Sequence, residues 1–288
     1  MPGIISADDI ASSLDSGTLV SEVLHTMINV SDLYKLCRPV PVPNLTGTIP
    51  ISKGSITVAE DLEEFERSDV ETAQFTYASF DLKKDRVILG VSDESKRKSR
   101  AGDPMVIQKD DAAMNLASIL DKKVIKALET SPQTGGTAGA WSTVTNNPMA
   151  DLATAVTSVK PYRADFCIMP TAVWAKYLAN DFFKNIVAYG NNIPQINNGV
   201  GAVGRIPGLN LDIYVDTEGY MTAKSVLVGS SRFCAAYGYG DVEINTERDN
   251  NLGADIYFMD VYRQVLAPIY KNSSNLNKAC YQITSVIA

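Results

Sequence analysis

The stretch from Pro104 to Glu129 constrains this chain more than any other. Ala113, Leu116, Ala117, Leu120, Val124, Ala127 and Leu128 recur with a period near 3.6, which puts them on one face of an α-helix. Asp103 can cap the first turn, and Pro104 suits the first helical position, where its missing N–H is no loss. At 1.5 Å per residue the predicted helix is about 39 Å long, well over twice the mean helix of about 11–12 residues. It is expected to be the rigid member of the fold, with its apolar face laid along a sheet.

The segments before it look different. Leu19, Val20, Val23, Leu24, Met27 and Ile28 recur at helical spacing, after which Pro39, Pro41, Pro43 and Pro50 impose an extended path. Such an arm has few partners in its own domain and is expected to lie across a neighbouring copy. Ile51, Ile56 and Val58 then lead to the acidic run Glu60-Asp61-Leu62-Glu63-Glu64-Phe65-Glu66-Arg67. Phe75, Tyr77, Phe80 and Leu82 nearly alternate, Lys83-Lys84-Asp85-Arg86 reads as a polar turn, and Val87, Leu89 and Val91 alternate cleanly. Together these predict a long β-hairpin with a protruding charged loop.

Downstream, Ser131–Gly136 reads as a break and a domain boundary. The pattern then becomes α/β. Leu152, Ala155, Val156 and Val159 suggest a helix, and Thr171–Phe183 a second one that packs Trp174, Tyr177 and Leu178. Phe166–Met169, Leu211–Val215 and Ser225–Val228 read as strands, and Asn191–Asn210 as a Gly/Asn/Pro-rich loop. Several short strands are expected from Val242 to Ile287, interrupted by a polar break at Lys271–Lys278.

Composition excludes several function classes. Of 288 residues, 45% are hydrophobic and 20% charged, as in ordinary folded proteins. A formal net charge of −7 removes the general phosphate attraction on which sequence-independent nucleic-acid binding depends. No apolar run approaches the roughly 20 residues of a membrane-spanning helix, and the first 17 residues lack the features of a secretory signal. Cys37, Cys167, Cys234 and Cys280 form no CxxC pair, so buried, reduced thiols are expected.

No constellation of catalytic, cofactor or metal-binding residues emerges. Gly199-Val-Gly201-Ala-Val-Gly204 fits GxGxxG, but a dinucleotide site needs a helix to follow, and Pro207-Gly208 does not open one. The only histidine, His25, lies in the amphipathic N-terminal stretch and reads as a surface or interface residue. An enzyme built on the α/β section would have to use Asp165 or Glu218, near the ends of predicted strands. Asp216, Glu218 and Gly219 read as a turn, because the alternating oxygen ligands of a calcium loop are missing. The acidic run is expected to be a solvated loop. The most basic run, Lys96-Arg97-Lys98-Ser99-Arg100, reads as a solvated linker before the long helix that could touch phosphate or an acidic neighbour.

The order of parts carries a resemblance where no single motif does. Phe80–Ser92 is similar to the strand pair leading into a spine helix, and Asp103–Glu129 to that helix. Phe166–Trp174 is similar to a strand-then-helix step, Gly204–Val215 to a G-x-I-x-G-L-x-V strand start, and Val226–Gly229 to a core strand. Val242–Glu247 and Asp260–Pro268 are similar to closing strands. The whole resembles the Hong Kong 97-like capsid fold of tailed-virus major capsid proteins, which encapsulins share. The resemblance implies an α+β fold with an N-terminal arm (1–50) and an E-loop hairpin (51–80). A P domain follows over 81–135, holding the spine helix at about 104–129. An A domain (136–239) and P-domain return strands (240–288) complete it.

The resemblance further implies a shell subunit without enzymatic activity, cofactor or membrane partner. It would assemble into pentamers and hexamers around a double-stranded DNA genome that it does not read by sequence. It implies a scaffolding protein, a portal and a decoration protein as partners, the virion as location, and assembly in the host cytoplasm. The alternative is an encapsulin-type compartment around cargo enzymes. With only a short arm after Met1, scaffolding is expected to be separate or unnecessary. Some relatives join Lys to Asn covalently; Lys53, Asn245 and Asn277 lie in the matching segments, but no motif here assigns that reaction. For assembly contacts, the acidic Glu60, Asp61, Glu63, Glu64 and Glu66 are expected to meet the basic Lys96, Arg97, Lys98 and Arg100 of a neighbour.

Overall fold

The computed structural model describes residues 33–53, 75–98, 104–143, 145–181, 203–206, 208–251, 253–272 and 274–288, with 23, 26, 27 and 31 before them. Its strands are β1 (Arg38–Pro41), β2 (Thr46–Lys53), β3 (Phe75–Asp81), β4 (Lys83–Ser92), β5 (Pro132–Gly136), β6 (Phe166–Pro170) and β7 (Gly204–Ile206). They continue with β8 (Leu211–Asp216), β9 (Val226–Gly229), β10 (Ala236–Asp249), β11 (Ala254–Leu266), β12 (Tyr270–Lys271) and β13 (Asn277–Thr284).

The long helix spans Pro104–Glu129, as its periodicity predicts. Ala113, Leu116, Ala117, Leu120, Val124 and Leu128 are buried on it; Ile125 joins them, while Ala127 lies at the margin. Its length is explained by what it covers. The first half, with Ala113, Leu116 and Ala117, packs on Met259 and Val261 of β11 and on Val23 and Met27. The second half, with Leu120, Val124, Ile125 and Leu128, packs on Phe166 and Ile168 of β6, Leu227 of β9 and Cys280 of β13. One helix thus closes two cores.

Each core belongs to a sheet. The first sheet has four strands in the order β1-β10-β11-β4. The second has nine, in the order β3-β2-β12-β13-β9-β6-β8-β7, with β5 paired to β13. Its far face is covered by the helices Pro148–Ser158 and Thr171–Ala179, through Leu152, Ala155, Val159, Val173 and Tyr177. The Pro148–Ser158 helix starts as its sequence requires: the Asn147 side chain accepts from the Met149 N–H at 3.0 Å, and Pro148 takes the first turn.

Several expectations are corrected. Lys83–Arg86 is not a turn: it lies in β4, and the single residue Leu82 carries the chain from β3 in one sheet to β4 in the other. Ser131–Gly136 ends the helix, but Pro132–Gly136 then runs parallel to β13. Gly135 is needed there, because the Tyr281 side chain occupies the place of a Cβ. The region after Val242 is dominated by β10 and β11, of 14 and 13 residues, rather than by short strands. The second α/β helix ends at Ala179, with Val173 buried and Leu178 39% exposed. The arm is not without partners in its own chain. Ser31 Oγ donates to Asp121 at 2.6 Å, Leu33 and Leu36 are buried, and β1 runs parallel to β10.

Candidate assembly surface

An antiparallel hairpin is present, with β2 and β3 paired from Thr46 opposite Asp81 to Ser52 opposite Phe75; its first strand begins within the segment expected to be arm, and Ile56 and Val58 lie outside the described residues. Few of its side chains find cover. Ile51 and Phe80 are buried, and Phe80 with the adjoining Leu82 reaches a cluster with Val42, Ala236 and Ile269. Gly238 makes room for the Phe80 ring; a Cβ there would lie 2.7 Å from it. Towards its outer end, Phe75 is 55% and Tyr77 75% exposed. A two-stranded ribbon is marginal by itself, and clustered exposed aromatics mark an interaction surface.

Of the charges expected to make contacts, Glu60, Asp61, Glu63, Glu64, Glu66 and Arg100 lie outside the described residues, as do the side chains of Lys96 and Arg97. Lys98 is exposed and pairs with Glu94 one turn earlier, at 2.5 Å. The basic run is also not simply a linker, because Asp93–Lys98 is a short helix. Arg248 on β10 anchors its start, bonding Asp93 at 2.5 and 3.0 Å and Asp255 at 2.8 Å.

Two charge networks that sequence reasoning missed hold the first sheet together. Arg263 on β11 is fully buried. Its Nε donates to Asp85 at 2.6 Å, one terminal nitrogen to the Leu116 carbonyl at 3.0 Å, and the other to Met27 Sδ at 3.3 Å. Lys123 of the long helix also donates to Asp85, at 2.6 Å. Burial opposes ionisation of Asp85, but the bonds from Lys123 and Arg263 outweigh it and hold its pKa below the ordinary value. On the opposite face, Arg86 grips Asp260 with two bonds of 2.7 and 2.8 Å, and Lys84 adds a third at 3.1 Å. The signal was present: carrying the Val91, Leu89, Val87 alternation two residues back puts Asp85 on the buried face.

The Arg86 hydrogen bonds, against burial, hold the Asp260 carboxyl at about 2. Because this pKa is depressed, its stabilisation is complete above the unfolded value of about 3.9 and is lost as pH falls towards 2. We predict that Asp260→Asn flattens the fall in melting temperature between about pH 4 and 2. Thermal melts across that range test it; a variant as acid-sensitive as the parent chain removes Asp260 as a cause.

Side chains that could have served an enzyme are engaged in structure. Asp165 accepts from the Ser231 N–H at 2.7 Å and from its hydroxyl. Asp216 gathers the N–H groups of Glu218, Gly219 and Met221 into the turn expected there, with Gly219 at φ 74. Asp151 accepts from Trp141 Nε1 at 2.8 Å. Asn277, a possible cross-link residue, is buried and donates to the Cys234 carbonyl at 2.8 Å. All four cysteines are buried, and burial pushes the Cys37 and Cys280 thiols up to about 12. No group of three or more metal-ligating side chains occurs among the described residues. Of the GxGxxG match, Gly204 opens β7, and the next described element is β8. His25, Gly199 and Gly201 lie outside the described residues. A cleft of about 440 Å³ lies between the long helix and the 216–220 turn, lined by Met114, Ser118, Asp121, Ile168, Tyr214 and Tyr220 among others. Among the described residues no helix is long and apolar enough to cross a membrane.

Comparison with known proteins agrees with this arrangement. No curated protein sequence matches the chain. Among solved structures, the virus-like particle from Pyrococcus furiosus has a TM-score of 0.62 at 10% identity, covering 93% of this chain and 98% of that one. The mature capsid of bacteriophage PhiM1 has a TM-score of 0.58 at 11% identity, covering 88% and 86%. The holo-SrpI encapsulin complex from Synechococcus elongatus has a TM-score of 0.62 at 12% identity, covering 88% and 87%. These likenesses establish the Hong Kong 97-like capsid fold. Residues 78–271 match the family described as phage capsid protein, which is two thirds of the chain and includes the spine helix and both long return strands. The chain therefore belongs to the phage capsid protein family.

Proposed function

We propose that this chain is the main building block of a virion shell. Its copies form pentamers and hexamers that close an icosahedral or prolate capsid around double-stranded DNA, assembled in the host cytoplasm. The observation that carries this reading is the β2–β3 hairpin, on which Phe75 is 55% and Tyr77 75% exposed. A lattice supplies cover for them from the adjacent copy, and many weak repeated contacts add up. The reading divides the chain into an arm at 1–50, the E-loop at 51–80, P-domain residues 81–135 and 240–288, and an A domain at 136–239. It pairs the acidic loop Glu60–Glu66 with Lys96–Arg100 of a neighbour. A subunit of net charge −7 leaves the genome's charge to counterions and polyamines. Scaffolding, portal and decoration proteins are the further partners.

Negative-stain imaging of the purified chain, alone and with a scaffold, is expected to show rings or shells. The Phe75→Ser/Tyr77→Ser variant should melt with the parent chain yet remain unassembled. A parent chain that stays a monomer in every assembly condition defeats the proposal. The likeness to the Synechococcus elongatus encapsulin supports a second reading, a compartment around cargo proteins. Nuclease-protected DNA inside purified particles favours the first reading; co-purifying cargo protein favours the second.

A further inference from the structure

The four-stranded sheet carries opposite charge on its two sides. Asp241, Glu243 and Glu247 of β10 are exposed, and among the described residues no cation forms an ion pair with them. Lys83, Lys84 and Arg86 of β4, two strands away, are also exposed. The register sets Glu243, Asp260 and Arg86 in one row across β10, β11 and β4. Asp260 is occupied by Arg86 and Lys84, and among the described residues Glu243 accepts only the Tyr262 hydroxyl, at 3.1 Å. Beside the basic residues on β4, Ile88 is 60% exposed.

Among the described residues neither outer backbone edge has a further strand beside it, though on β4 the Gly90 carbonyl accepts from the Gln108 side chain at 3.0 Å. Among the described residues β4 pairs only with β11, and β10 beyond Tyr239 pairs only with β11. Charge on an open edge commonly serves to keep strands of other copies away. Like charge on both edges would do that. Opposite charge does the reverse, since the edge of one copy attracts the other edge of the next. Within one copy the two sides cannot meet, because β11 stands between them.

We propose that the acidic β10 side of one copy docks on the basic β4 side of a second copy, head to tail, with Ile88 covered in the contact. This rests on the reading of the chain as a shell subunit and specifies one of its contacts. Such a contact uses two different patches on every copy, so each subunit both gives and receives, and the contact closes into rings when the rotation permits. Exposed ion pairs are individually weak, so the effect belongs in the concentration at which subunits assemble rather than in the stability of one subunit.

The test uses the full chain in three forms: Asp241→Lys/Glu243→Lys, Lys83→Glu/Lys84→Gln, and all four changes together. Lys84→Gln keeps a donor for Asp260, and Arg86 is left in place. Assembly is followed by light scattering and sedimentation against protein concentration and salt, with thermal melts confirming that each form is folded. Each pair of changes is expected to raise the assembly threshold about tenfold or more, and the four together to bring it back to within about threefold of the parent. Two folded double variants that assemble at the parental threshold, with the parental salt dependence, overturn the contact while leaving the shell reading intact. A parent chain that never assembles overturns the shell reading, and this contact falls with it.

Discussion

Leu120→Asp is expected to yield no folded subunit. Leu120 is 1% exposed and packs in the cluster where the second half of the long helix meets the nine-stranded sheet, with Val124, Leu128, Ile168 and Cys234. A carboxylate there has no described cation beside it within that cluster. It must either stay charged in an apolar site or take up a proton and leave a polar group unsatisfied. The penalty, together with the lost leucine packing of about 2–5 kcal/mol, is comparable with the whole stability of a domain, about 5–15 kcal/mol. Met114→Asp is the control. It changes the same helix at a position 54% exposed, and its expected effect is about 0.5 kcal/mol or less. Circular dichroism and thermal melts separate the two. A Leu120→Asp protein that melts like the parent chain would mean that the buried face of the helix is assigned wrongly.

The second large effect is expected at Asp85. Asp85→Ala leaves the Arg263 guanidinium fully buried without its carboxylate, a loss of about 3–5 kcal/mol and a fall in melting temperature of roughly 6–15 °C. The damage should come from the stranded charge more than from the missing bonds. Asp85→Leu combined with Arg263→Met should therefore recover about 1–4 kcal/mol relative to Asp85→Ala. Lys123, 28% exposed at its side chain, can turn its ammonium to water in either variant. Because the Asp85 pKa is lowered, its stabilisation is present above about pH 3.9 and is lost as pH falls through the folded value. Both variants should accordingly lose part of the acid sensitivity of the parent. A melting temperature unchanged by Asp85→Ala contradicts the network's structural role.

The parts legible in the sequence are those where one face is buried and the other wet. The spine helix shows this most clearly, since its period and the Asp103-Pro104 start locate both ends. Phe166–Met169 and Leu211–Val215 were legible because short apolar runs lie between turn residues. Of β10 only the middle, Val242–Glu247, is legible, because Asp241, Glu243, Asn245, Thr246, Glu247 and Arg248 are all exposed; its full length is set by pairing with β11. Lys83–Arg86 reads as a turn on charge alone, whereas Asp85 faces inward to Arg263 and Arg86 outward to Asp260. Arg263 itself sits in an apolar strand, 178 positions from the carboxylate that answers it, and no local pattern can report such a pairing. Phe75 and Tyr77 are legible as strand residues, but their exposure, 55% and 75%, is a property of the folded chain.

The join at Leu82 has a mechanical meaning. On one side of it, the hairpin is tied to the rest of its sheet by two ladder pairs, Tyr270 with Ser52 and Lys271 with Lys53, and by a few buried side chains around Phe80. On the other side, β4 is bound along ten residues to β11 and clamped by Asp85 and Asp260. Stiffness therefore changes abruptly across a single residue. Leu82 is the seam between the two: buried among Val42, Phe80, Ala236 and Ile269, it passes the chain from a thinly held ribbon to a clamped strand in a single step.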